Sequence, residues 1–217
     1  DRQSLSVGAR PGSRAHGTTQ SATKVQSMNA SYAHLDATLV AEPGAYLEYM
    51  PDQTILNAEA RCLQTTTVEL ADDATVIVGD VVVPDGLTDH EPFSFEHYHS
   101  RVEASVEDSL VCADAVDLRP AERDPRDPAT VGEYAVVGTL YVFAPAATAD
   151  ELADRLYERL ADHDVAAGAS VLKDDAGVTV RVLGDRSTDV TAAVEAAWDE
   201  ARESLLAVGA PLEGRGR

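Results

Sequence analysis

Between residue 1 and about residue 143 the chain alternates apolar with polar side chains and breaks the alternation at short intervals with turn residues. A two-residue period puts successive side chains on opposite faces of an extended backbone, so this stretch builds strands and half-buried sheets. Turns are marked by Pro11-Gly12, Pro43-Gly44, Asp72-Asp73, Pro84-Asp85-Gly86 and Glu107-Asp108. Between them Leu35, Ala37 and Leu39 alternate with His34, Asp36 and Thr38, and Val102, Ala104 and Val106 alternate with Glu103, Ser105 and Glu107. Residues 65–68 and 75–83 are rich in β-branched side chains, and the second run is apolar on both faces, as a strand buried between layers must be. No helix of any length fits before residue 146.

The pattern changes after an exposed loop at 119–128, where three prolines stand among charges. One more strand, 134–143, precedes two helices. Thr148 and Glu151 have capping-box spacing ahead of Leu152, Leu156 and Leu160 on one face. Ser187, Thr188 or Asp189 caps the second helix. Its stripe of Val190, Val194, Ala197, Trp198, Ala201, Leu205 and Val208 ends at Gly209 and Pro211. Between the helices, 170–173 and 178–183 flank Asp174-Asp175-Ala176-Gly177 as a hairpin. The expected fold is mainly β with two C-terminal α-helices and a small hairpin between them. It forms one domain over 1–217: a β body at 1–143, a helix–hairpin–helix part at 144–212 and a frayed tail at 213–217. No internal repeat is evident.

Charge narrows the setting. Seventeen basic residues against 38 acidic ones give −21, and only Lys24 and Lys173 are lysines. Such a surface repels itself in dilute buffer and is screened in concentrated salt, which points to the cytosol of a halophile. No basic stripe exists to neutralise phosphates or meet an anionic membrane, and no apolar run is long enough to span a bilayer. Cys62 and Cys112 read as two buried thiols in a reducing compartment.

The familiar catalytic signatures are missing: no GxxxxGK, GxSxG, HExxH, CxxC or helix-opening GxGxxG occurs. One metal-like constellation stands out. His97, His99 and Glu103 fall at i, i+2 and i+6, on one face of a strand, and this spacing resembles the first metal motif of the cupin family. Glu91 and Leu110 stand where that motif carries glycines, and its second motif is not found. A cupin-like metalloenzyme is therefore the alternative reading.

A second resemblance covers far more of the chain. Thr18-Thr19-Gln20-Ser21-Ala22-Thr23-Lys24-Val25, following a strand and a Pro-Gly turn, is similar to the TTxxATK stretch of the UreD (UreH) family of urease accessory proteins. Leu47-Glu48-Tyr49-Met50-Pro51-Asp52-Gln53-Thr54-Ile55-Leu56 resembles that family's LEW-hydrophobic-P segment, which leads into an extended strand. Ser100-Arg101, Glu107-Asp108, 114–120 and 134–145 fit its later strands, and Leu183-Gly184-Asp185 opens its Trp-bearing last helix. The departures are Asp52-Gln53 after the motif proline and the run 84–93, which replaces a glycine-rich GRxAxGExF segment. The family pattern also extends upstream, ending in Gly-Gly-Asp. Asp1-Arg2 matches its last residues, and several family strands are expected to lie outside this chain, leaving exposed edges.

The resemblance implies stacked sheets in a helical arrangement and a role in loading nickel into urease, with no catalysis of its own. It implies binding to UreF, through it to UreG, and to the urease structural subunits, with a dimer within the accessory complex as one arrangement open to it. Nickel would be in transit, with no cofactor tightly bound. Weak oxygen and nitrogen donors suit such a conduit. Glu48 and Asp52 are the carboxylates expected on the ion path, with Gln53, Thr18, Gln20 and Lys24 from the same motifs, and Thr19 is a further member of the first motif. Lys24 is expected in an ion pair inside the stack, and Trp198 and Leu205 in the packing of the last helix.

Overall fold

The computed structural model describes residues 1–84 and 91–211, so most of the altered 84–93 segment and the expected frayed tail lie outside the described residues. The chain advances in coils. β1 (Arg2–Ala9) turns at Pro11-Gly12 into β2 (Arg14–Gly17), and the short β3 (Thr23–Val25) follows. β4 (Ala33–Ala41) turns at Pro43-Gly44 into β5 (Tyr46–Tyr49) and β6 (Thr54–Leu56). β7 (Arg61–Leu70) turns at Asp72-Asp73 into β8 (Thr75–Pro84).

The first strand of each coil joins one sheet and the second joins another. In the first sheet β1, β4, β7 and β9 (His97–Val106) are parallel neighbours, and β10 (Ser109–Leu118) closes the edge antiparallel. In the second, β2, β5 and β8 are parallel, then β11 (Val136–Phe143), β13 (Gly177–Gly184) and β12 (Ala166–Val171) continue antiparallel. This is the stacked arrangement expected.

The turns stack as the strands do. Gly12 N–H donates to the Pro43 carbonyl (2.9 Å), and Gly44 N–H donates to the Asp73 carboxylate (2.7 Å). Both glycines hold φ near +65°, where a side chain would strain the backbone. These coils are an internal repeat, correcting the sequence reading that found none. Ala9-Arg-Pro-Gly12 recurs as Ala41-Glu-Pro-Gly44 and, less closely, as Ala71-Asp-Asp-Ala74. Only the turn chemistry is shared, because a strand body needs alternation and no particular residues.

Two helices, α1 (Ala149–Leu160) and α2 (Ser187–Leu206), cover the outer face of the second sheet. Leu152, Leu156 and Leu160 pack there with Val190, Val194 and Trp198 against Ile77, Leu140 and Val180. Val76 and Val78 point the other way, between the sheets, with Leu39, Leu47, Val68 and Phe143. β8 is thus buried on both faces, as its composition requires.

Details at the helix ends differ from expectation. Thr148 is the N-cap of α1 but makes no side-chain cap bond. The N-cap of α2 is Arg186, with Ser187 already helical, and Arg186 Nε bonds Asp189 instead (2.7 Å). The helix ends at Ala207 in the left-handed region, before Gly209, and Val208 is exposed. Lys173 belongs to a 3-10 turn, and β12 begins earlier than the hairpin reading placed it. Among the described residues no helix is long and apolar enough to cross a membrane.

Candidate functional site

The second sheet has a gap, and its register shows why. β8 pairs with β5 as far as Tyr49↔Val78, then with β6 from Thr54↔Val82. Between those ladders residues 50–53 swing out of line and leave 79–81 unpaired on that edge, while β11 still pairs along the other. Pro51, which has no N–H to give a ladder, sits in this segment. Gly79 fits because Met50 lies over it: a Cβ there would stand 2.5 Å from Met50 Cε and 2.8 Å from Sδ.

Cavities open on both sides of the gap. On the α2 side is a groove of about 650 Å³ lined by Thr18, Thr19, Gln20, Asp52, Gln53, Asp80 and Glu195. Between the sheets, toward β1, lies a cavity of about 280 Å³ that shares Thr18, Thr19, Asp52, Gly79 and Asp80. A small pocket of about 30 Å³ continues from Asp80 toward Tyr98 and Arg181. Asp80 borders all three.

The alternation that points Val76 and Val78 between the sheets carries Asp80 the same way. Desolvation there pushes its carboxyl up to about 6. Hydrogen bonds from Gln64 and Tyr98 and the charge of Arg181 oppose that rise without cancelling it. A carboxylate so placed exchanges protons near neutrality, surrounded by hydroxyl and amide groups. The rim is ordered by its own bonds: Asp52 N–H donates to Thr19 Oγ1 (2.8 Å), and Gln53 N–H donates to Asp52 Oδ1 (2.8 Å).

Of the residues singled out by sequence, Thr18, Thr19, Gln20, Asp52 and Gln53 come together here. Glu48 does not. Leu47 faces the inter-sheet core, so its neighbours on β5 face the helices, and Glu48 is 1% exposed beneath α2. Oε1 accepts from Tyr46 OH (2.7 Å), Trp198 Nε1 (3.1 Å) and Arg202 Nη1 (2.5 Å), while Oε2 lies 3.0 Å from His16 Nδ1. His16 also stacks on Trp198. Burial alone would raise the Glu48 pKa, but these bonds together hold it below the ordinary value. Glu48 therefore ties β2, β5 and α2 together, and both its oxygens are engaged.

Lys24 is exposed on β3 and forms no ion pair among the described residues. Strand alternation buries its neighbour Val25 and turns Lys24 outward, correcting the expected internal pair. His97 and His99 flank Asp117: His97 Nε2 is 3.0 Å from Asp117, His99 Nδ1 is 3.8 Å from it, and His97 Nδ1 meets Tyr32 OH at 2.9 Å. Glu103 pairs with Arg101. Among the described residues no group of three or more His, Cys, Asp or Glu side chains is gathered to hold a metal ion. Cys62 and Cys112 are buried and unbridged, and burial raises both thiols.

Asp80 was missed in the sequence, although its signal was there: a single acid, after a glycine, inside an otherwise apolar strand.

The fold is a two-sheet coil with a helical cover, and polar cavities meet at a gap in its second sheet. Comparison with known proteins places it. The family model for the UreD urease accessory protein matches residues 1–214, and the chain belongs to that family. It is 68% identical over 215 residues to the urease accessory protein UreD of Haloquadratum walsbyi, covering 99% of this chain and 71% of that one. It is 62% identical over 216 residues to that of Natronomonas pharaonis (99% and 72%) and 46% over 211 to that of Haloarcula marismortui (97% and 71%). The halophilic archaea among these relatives accord with the −21 charge.

Proposed function

We propose that the chain is a cytosolic, non-catalytic scaffold for urease maturation that passes nickel through the gap in its second sheet. It binds UreF, through it UreG, and docks on the urease structural subunits. The observation that carries this reading is the convergence of two family motifs on the groove and the cavity that share Asp80. Nickel is cargo here. Carboxylate, amide and hydroxyl oxygens bind it weakly enough to release it, and a carboxyl with a pKa of about 6 exchanges a proton for the cation near neutral pH. Asp52 meets the ion at the rim, Asp80 holds it in the gap, and Thr18, Thr19, Gln20 and Gln53 replace part of its water.

The test is co-purification of the tagged chain with UreF in molar salt, followed by equilibrium dialysis of the complex against Ni²⁺. A soluble complex whose weak nickel binding falls at least tenfold in Asp80→Asn and in Asp52→Asn supports the reading. Nickel binding indifferent to both substitutions removes the route.

A further inference from the structure

The inter-sheet space has a side that the proposed route does not use. From Asp80 the pocket of about 30 Å³ runs between β9 and β11 to Arg181 on β13. There the guanidinium reaches across to the first sheet and pairs with Asp114 on β10, while Tyr141 OH donates to the same carboxylate (2.5 Å). The Arg181 side chain is 37% exposed and that of Asp114 27%, so the pair stands where the space between the sheets meets solvent. The guanidinium is also near enough to favour the charged form of Asp80.

We propose that Arg181, held by Asp114 and Tyr141, is a cationic stopper that closes this side of the inter-sheet space, so that a divalent cation at Asp80 moves only between the α2-side groove and the β1-side cavity. The inference rests on the nickel route proposed above. The pair is neutral overall, but Arg181 and not Asp114 acts on the Asp80 carboxyl, so the guanidinium is the end that meets a cation there. In a narrow, partly desolvated passage it repels a dication more strongly than it would in bulk water. An ion pair that only tied the two sheets together would not distinguish a cation in the cavity from none. Arg181 is thus a positioning residue for the cargo.

The experiment is equilibrium dialysis of the full chain against Ni²⁺ in molar salt, with thermal unfolding in the same buffer as the fold check. The variants are Arg181→Met with Asp114→Asn, Arg181→Gln as a second neutral form that still offers Asp114 a hydrogen bond, and Arg181→Lys, each with and without Asp80→Asn. With the repelling charge gone, the double form, which keeps the net charge of wild type, is expected to bind Ni²⁺ about threefold tighter or more. Arg181→Gln, which leaves Asp114 negative, is expected to bind tighter still. A gain confined to Arg181→Gln comes from the bare carboxylate and counts against the stopper. The lysine form is expected to match wild type, and the gain to vanish in the Asp80→Asn background. Folded neutral forms with wild-type affinity overturn the stopper while leaving the route intact. Equal binding by wild type and Asp80→Asn overturns the route, and the stopper with it.

Discussion

Asp80→Asn should make this protein more stable. Folding moves the Asp80 carboxyl from 3.8 to about 6 because burial disfavours its charge, and that rise corresponds to about 3 kcal/mol. The sign follows from linkage. Below about pH 4 the group is protonated in both folded and unfolded chains and costs nothing. As pH rises from there to about 6, the unfolded chain ionises first and wild-type stability falls. Above pH 6 the cost is complete. A neutral asparagine avoids it while keeping a partner for Gln64 and Tyr98, so the gain at pH 7 is at most about 3 kcal/mol, or roughly 6–12 °C for a chain of this size. Thermal unfolding followed by circular dichroism in molar salt, at pH 7 and pH 4, measures it. An asparagine form no more stable than wild type at pH 7, or one whose advantage persists at pH 4, would refute the argument.

Glu48→Gln should destabilise by about 3–5 kcal/mol, since it leaves Arg202 without its charge partner; shifted emission from Trp198, the chain's single tryptophan, reports the opening. The wild-type Glu48 contribution is present above its unfolded pKa and is lost as pH falls through the lowered folded value, so unchanged acid unfolding in the variant would contradict the assignment. Gly79→Ala should cost about 1 kcal/mol, since a Cβ there meets only the flexible end of Met50, and it should cost less in a Met50→Ala background than in wild type; chemical denaturation of the two single forms and the double form checks this coupling. His97→Ala should lower stability by about 1–2 kcal/mol, because Tyr32 and Asp117 lose a partner. It should leave metal content unchanged, and loss of one stoichiometric metal on elemental analysis would revive the metalloenzyme reading.

The legible part of the fold was that governed by local chemistry. Alternation marked strands such as β4 and β9, β-branched bulk marked β8 as doubly buried, and leucine spacing marked the buried face of α1. Coiling was harder to read, because parallel neighbours lie a whole coil apart in sequence and share only Ala-x-Pro-Gly at two turns and a weaker echo at the third. At the site, motif membership found Thr18, Thr19, Gln20, Asp52 and Gln53 but gave Glu48 the wrong surroundings. A strand with one face toward helices and the other toward a second sheet offers two interiors, and Glu48 turns toward α2, where Tyr46, His16, Trp198 and Arg202 engage it away from the cavities that share Asp80. Asp80 belonged to no motif considered. A buried acid in an apolar strand is costly enough to need a reason, and the gap beside it becomes visible only when β5 and β6 are seen to leave β8 unpaired at 79–81.

The most direct test of the central claim is urease activation in cells that express the urease subunits, their accessory proteins and this chain carrying Asp80→Asn. The account predicts a folded, more stable protein that still assembles with UreF yet delivers little nickel, so urease activity falls at least tenfold. Full activation by that variant would contradict it, because the cation would then have no need of Asp80.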